Sequence, residues 1–314
     1  MCFRAKDVSK VMILSAILSL LGCDGQRGHK STKPSPMKEY RWSITESAPT
    51  EYPIKIISGH FETVGGYRAG VPAGVIVDTG WSNGRSNIVS GRDTMPVPTR
   101  FELTWFSYRE DTFYHANFDL PTERIQALFE LDRRSPFSLR ESTANSFKLG
   151  IAPEGFVVIW MWAGNHIWEV FRGNGEAVEG IPWSAVFNKP EVPKEKIVNG
   201  TIEESLASVP NSPHINDPGY WQRLHEEVYD YDIVVESEYT PYVIKTGYFN
   251  GERHKYYVDA QNWRAAPLSV PTRIALDYIF SEETFLAELE NINTDEMYDA
   301  FRTLSKESSS PLRV

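Results

Sequence analysis

The sequence predicts an α+β chain dominated by antiparallel β-sheet, meander-like or sandwich-like, with a few flanking helices. Three observations carry that expectation. Aromatic residues reach 13%, with nine Trp and 15 Tyr, a level that suits strand packing. Short apolar runs alternate with polar residues between Gly- and Pro-marked turns. Only a few stretches change to helical spacing, the first of them after Pro121.

The N-terminus comes first in chain order and carries its own chemistry. Residues 1–10 are mostly positive, and the uncharged run Val11 to Leu21 is 11 residues long. That is short of the ~20 residues needed to span a bilayer but right for a secretory signal. It ends in Leu20-Leu21-Gly22-Cys23, which looks like the bacterial lipobox: cleavage between Gly22 and Cys23, with the Cys23 thiol carrying the lipid. Cys2 lies in the removed segment, so Cys23 is the one thiol expected in the mature chain, and no disulfide can form. Two or three acyl chains on Cys23 make the attachment permanent. Residues 1–22 are thus read as a signal peptide and 23–38, with Pro34 and Pro36, as a flexible lipidated tether. The expected location is the cell envelope, anchored to the inner or outer membrane and facing the periplasm. Asp24 after the cysteine leaves the choice of membrane open.

Charge narrows the partners. The full chain is −10. Taking away the +2 of segment 1–22 and the +3 of the tether leaves −15 on residues 39–314. So acidic a body excludes nucleic acid as a partner, because phosphate neutralisation supplies most of that affinity. It suits solubility, or a basic protein partner.

The body, 39–232, reads as the main β-rich domain, and 233–314 as a C-terminal hairpin and helical extension packed on it. Pro53 to Ile57 and Gly74 to Val77 are short strands. A Gly/Asn/Ser loop between Thr79 and Arg92 holds Trp81. Phe101, Leu103 and Trp105 alternate along a half-buried strand, Tyr108 to Asp111 turn, and Tyr114, Ala116 and Phe118 return. After Pro121, Ile125, Leu128 and Phe129 fall at helical spacing.

A meander follows: Phe147 to Ile151, then Phe156 to Trp162 (FVVIWMW), a Gly164-Asn165 hairpin turn, and His166 to Arg172. That register sets Trp162 against Ile167, Trp160 against Glu169 and Met161 against Trp168. A strand apolar on both faces is the pattern of a central strand covered twice. The other reading exposes Trp160 and Trp162 as a binding surface. Residues 188–216 read as a long loop with one short helix near Glu203 to Ser208. Asp217-Pro218 starts a helix to about Val228. Tyr242 to Phe249, Asn250-Gly251 and Arg253 to Val258 form a hairpin. Ser281 and Thr294 are expected N-caps of closing helices at about 282–290 and 295–305.

The run Phe101-Glu102-Leu103-Thr104-Trp105-Phe106-Ser107-Tyr108, with Asp111-Thr112-Phe113-Tyr114, Leu120-Pro121, Ala152-Pro153-Glu154-Gly155 and Trp183-Ser184, resembles a bacterial family, domain of unknown function 2931. The likeness is good over about 50–190. The resemblance implies a short proteobacterial lipoprotein and supplies no catalytic residues. In gene setting, members are similar to lipoproteins encoded beside type VI secretion phospholipase effectors, which implies immunity proteins that block a toxin.

The residues themselves offer no catalytic constellation. There is no G-x-S-x-G elbow, and an acylated Cys23 cannot pair with a histidine. The seven His include no metal-binding spacing, and His214 and His225 read as independent surface residues. His115 reads as a partly buried, hydrogen-bonded imidazole. Glu226-Glu227, Asp230, Asp232 and Glu282-Glu283 are the carboxylate clusters from which a hydrolase would draw a pair. No cofactor and no metal are expected. The leading expectation is a non-enzymatic binding protein, specifically an immunity lipoprotein against a secreted effector. The alternatives are a structural or assembly lipoprotein of the envelope, or an unrecognised hydrolase. Candidate partner-binding residues are Trp81, in a loop with no obvious core to enter, and Trp160 and Trp162. Acidic side chains are expected to ring these anchors.

Overall fold

The computed structural model describes residues 38–84, 92–130, 145–163, 166–235, 238–257, 268–280, 283–289, 293–307 and 312–313. The signal peptide, Gly22, Cys23 and almost all of the tether lie outside the described residues, as do the Gly164-Asn165 turn and Ser281.

Strands are numbered here along the two main sheets. β1 is Ser43–Ser47, β2 Ile54–Thr63, β3 Arg68–Gly70, β4 Pro98–Ser107 and β5 Thr112–Asp119. β6 is Asn145–Ile151, β7 Phe156–Ala163, β8 His166–Asn174 and β9 Glu176–Val178. β10 is Val243–Tyr248, β11 Arg253–Tyr257, β12 Pro271–Phe280 and β13 Glu283–Leu289. The helices are α1 Thr122–Glu130, α2 Lys194–Ser208, α3 Tyr220–Glu226 and α4 Thr294–Glu307. A six-stranded sheet runs β9-β5-β4-β2-β3, with Ile76–Val77 added on β2. An eight-stranded sheet runs β13-β12-β10-β11-β8-β7-β6-β1. Pairing within these sheets is antiparallel except for β1 on β6, which is parallel. The chain is α+β and strand-dominated, as expected.

Alternation along the strands explains why the two sheets stack. Ile56, Phe101, Leu103 and Trp105 from the first sheet meet Phe147, Leu149, Ile159 and Met161 from the second in one core. α1 closes it with Ile125 and Phe129. Odd and even positions of β7 then diverge, because successive side chains point to opposite faces. Val157, Ile159 and Met161 enter this inter-sheet core. Phe156, Val158 and Trp160 enter a second one, under Trp221 and Leu224 of α3 and Tyr298 and Phe301 of α4. β7 is therefore apolar from Phe156 to Met161 because both faces of that stretch are covered. Its register with β8 matches the expectation, Trp162 on Ile167 and Trp160 on Glu169, with a bulge between Ile159 and Trp160. A third cluster, Phe106, Tyr108, Val186 and Val198, lies between the outer face of the first sheet and α2.

Gly150 on β6 is required by the second core. A Cβ there would fall 2.5 Å from two carbons of the Trp160 ring, so any larger residue displaces the indole.

Three expectations change. The 188–216 stretch is not one long loop with a short helix: α2 spans 15 residues from Lys194. Its packed face includes Thr201 and Ser205 beside Val198, and those polar residues hid the helical stripe. Residues 283–289 form strand β13, not a helix. Phe285, Leu286 and Leu289 imitate a helical stripe, but pairing with β12 over seven positions decides the state. The C-terminal residues also do more than pack on the main domain, since β10–β13 continue its sheet. Their junction is narrow. Ile167 is the register partner of Arg253, the Glu169 N–H donates to Glu252 Oε1 at 2.9 Å, and the Lys255 N–H donates to His166 Nδ1 at 3.3 Å.

Candidate functional site

Trp81 enters the second core instead of standing out as a surface anchor. Its ring centroid lies 5.2 Å from Trp160 and 5.4 Å from Trp221. The loop can turn the indole inward because Gly80 and Ser82 on either side both hold positive φ, 93° and 58°. The Gly80 N–H donates to the Ala48 carbonyl at 2.9 Å, and Lys148 Nζ donates to the Ser82 carbonyl. The apparent lack of a core arose because the core partners, Trp160 and Trp221, are distant in sequence.

Trp160 is 0% exposed, which removes it from any contact surface. Its indole N–H donates to the Asn250 carbonyl at 3.0 Å. Beside it sits a buried polar chain. His225 Nδ1 lies 2.6 Å from Glu169 Oε2, and a carboxylate facing that nitrogen places the hydrogen on Nδ1. Asn250 Nδ2 donates to Glu252 Oε2 at 3.0 Å, and burial raises the Glu252 carboxyl pKa. His225 is sealed from solvent, so it is not the surface residue expected. Its imidazole helps join α3 to the sheet. His214 stacks on Tyr220 with ring centroids 3.4 Å apart. His115 Nδ1 lies 3.0 Å from Thr104 Oγ1, half-buried as expected.

Of the three tryptophans Trp162 is the exposed one, at 45%. It sits where β7 outruns the cover of the helices. The Lys148 ammonium lies 5.8 Å from its ring centroid, and burial together with the charge of Arg253 lowers the Lys148 pKa to about 8. Trp162, Ile167 and Arg253 follow one another across β7, β8 and β11. The surroundings of the exposed tryptophan are thus basic, where acidic ones were expected. Net charge is a sum and says nothing of where the cations cluster.

Two depressions meet at Arg253. One, about 260 Å³, is lined by Trp81, Trp221, Phe249, Arg253 and Thr272 among others. Its neighbour, about 570 Å³, is lined by Lys245, Arg253, Lys255, Thr272 and Arg273 with few other residues. Lys245 pairs with Asp277 at 2.7 Å, and Arg273 pairs with Glu288. Arg253 and Lys255 have no acidic partner among the described residues. His254, between them on the opposite face, has its pKa lowered to about 3 by burial and by His166.

Two members of the carboxylate clusters are held by neighbouring side chains. Glu227 takes a forked contact from Arg302 at 2.6 and 2.9 Å, and Glu226 accepts from Gln222 at 2.7 Å. The Asp232 side chain and Glu282 lie outside the described residues. Among the described residues, no group of three or more His, Cys, Asp and Glu could hold a metal ion. The basic cluster escaped notice because its members lie on three different strands. The hairpin register, which sets Lys245 opposite Lys255 and Gly247 opposite Arg253, was the signal that could have found it.

Fold and site define an α+β sandwich protein with a helix-covered aromatic core and a basic rim. The chain belongs to the family described as "Protein of unknown function (DUF2931)", whose model matches residues 28–204. That span holds Trp81, Lys148 and Trp162, while α3, β10–β13 and α4 lie beyond it. No curated protein matches the chain, and no solved structure does.

Proposed function

We propose that this is a lipid-anchored, periplasm-facing protein that binds another protein and catalyses nothing. More specifically, it is an immunity lipoprotein against a phospholipase-like effector of type VI secretion. The observation that carries the reading is Trp162. An exposed indole on a strand otherwise given to core, with a lysine ammonium near its ring, is the side-chain chemistry that dominates protein interfaces. The Leu20-Leu21-Gly22-Cys23 sequence supports the anchor. The sealed His225 and the occupied Glu227 favour binding over catalysis.

The test is a competition between a strain lacking the gene and its own parent, which still delivers the effector. The reading expects the deletion strain to be killed, and to be rescued by the wild-type gene but not by Trp162→Ala or Cys23→Ser. Survival of the deletion strain beside an actively secreting parent would contradict immunity and leave assembly of the envelope as the role.

A further inference from the structure

Arg253 and Lys255 place two cations on one groove of an acidic molecule. Residues 39–314 carry −15, and the flanking cations Lys245 and Arg273 are each neutralised by a carboxylate. Arg253 and Lys255 have no such partner among the described residues, although they sit two apart on one face of β11 and both line the same groove. The charge of Arg253 also bears on Lys148, which holds its ammonium in a buried place. Arg253 thus repels a second cation, and an anion beside it would relieve that repulsion. A guanidinium with an ammonium beside it suits the oxygens of a phosphate.

The other half of the depression has different chemistry. Gly247, Arg253 and Thr272 line both the groove and the neighbouring cleft of Trp81, Trp221 and Phe249. The larger depression, about 570 Å³, is of the size that holds small ligands, and the smaller, about 260 Å³, adjoins it. Inorganic phosphate would leave the aromatic half wet. A neutral hydrocarbon would cover two cations without compensating them, which is costly.

We propose that cleft and groove form one binding site for a single-chain anionic amphiphile, with its phosphate on Arg253 and Lys255 and its hydrocarbon over Trp81, Trp221 and Phe249. This site is distinct from the protein-binding role of Trp162 and does not depend on it. The matched family span ends before Trp221 and Arg253, so the site exists only where the C-terminal strands join the family's sheet.

Native mass spectrometry of the full chain, released from a neutral detergent, tests this with three probes: dodecyl phosphate, dodecanol and inorganic phosphate. The expected result is one dodecyl phosphate per chain, with at least tenfold less adduct from either of the other two. Arg253→Gln with Lys255→Gln should lower that adduct at least tenfold while the melting temperature stays put. Thr272→Trp, which fills the junction of the two depressions, should lower it equally and decides the matter if the double variant melts early. Equal binding of inorganic phosphate would reduce the site to an anion patch, and equal binding of dodecanol to a greasy cleft. Either result, or undiminished dodecyl phosphate binding by the folded variants, overturns the proposal.

Discussion

The Trp160 indole donates its N–H to the Asn250 carbonyl at 3.0 Å, which ties the central strand of the family's sheet to the hairpin turn of the C-terminal strands. Gly251, next in that turn, has a φ of +86°, and a Cβ on it would lie 3.0 Å from the same indole. One side chain thus fills the second core and registers the two parts of the sheet. Trp160→Ala is expected to cost about 3–5 kcal/mol of folding stability, the range for deleting a buried aromatic. Urea unfolding measures it, and a loss under 1 kcal/mol would show that the core closes without the ring.

Trp81→Ala should behave in the same way on a smaller scale. The ring contacts Trp160, Trp221 and Phe156 but is only partly buried, so a loss of about 2–3 kcal/mol is expected. An unchanged melting temperature with weakened partner binding would return Trp81 to the interface.

Much of the architecture was legible because it rests on short-range pattern. The alternation at Phe101-Leu103-Trp105 and the Asn250-Gly251 turn both declare hairpins within a dozen residues, and the β7–β8 register follows from the alternation itself. Long-range matters were not legible. Whether Trp81 had a core to enter depended on Trp160 and Trp221, and the burial of His225 depended on Glu169. β13 was misread because Phe285, Leu286 and Leu289 suit a helix as well as an edge strand, and only its partner β12 decides. The basic site was hidden by a net charge of the opposite sign, since Arg253 and Lys148 come together only after the sheet is assembled.

Lys148 gives a pH test. Its folded pKa, lowered to about 8 from 10.5, means that the fold favours the neutral amine. The stability it contributes is therefore full above pH 10.5 and is lost as pH falls toward 8. Lys148→Met should be more stable than the wild type at pH 7.5, and that advantage should shrink by about 3 kcal/mol at pH 10.5. Comparing the two proteins at each pH cancels the tyrosines, which titrate in both. A constant difference would mean that the ammonium is solvated in the fold.

Cys23→Ser should abolish lipidation and leave the signal peptide uncleaved, because Cys2, the second cysteine in the chain, lies on the wrong side of the cleavage site. Metabolic labelling with an alkynyl palmitate, followed by a gel mobility shift, reads both. Label retained on the variant would refute the anchor.

The most direct test of the account is the effect of Trp162→Ala on stability and protection measured together. The side chain is exposed, so the melting temperature should move by less than about 2 °C. Loss of an interface anchor should cost about 2 kcal/mol or more of partner affinity, enough for the variant to fail to protect a deletion strain from its secreting parent. A folded, membrane-anchored Trp162→Ala protein that protects as well as the wild type would contradict the assignment of this surface to partner binding.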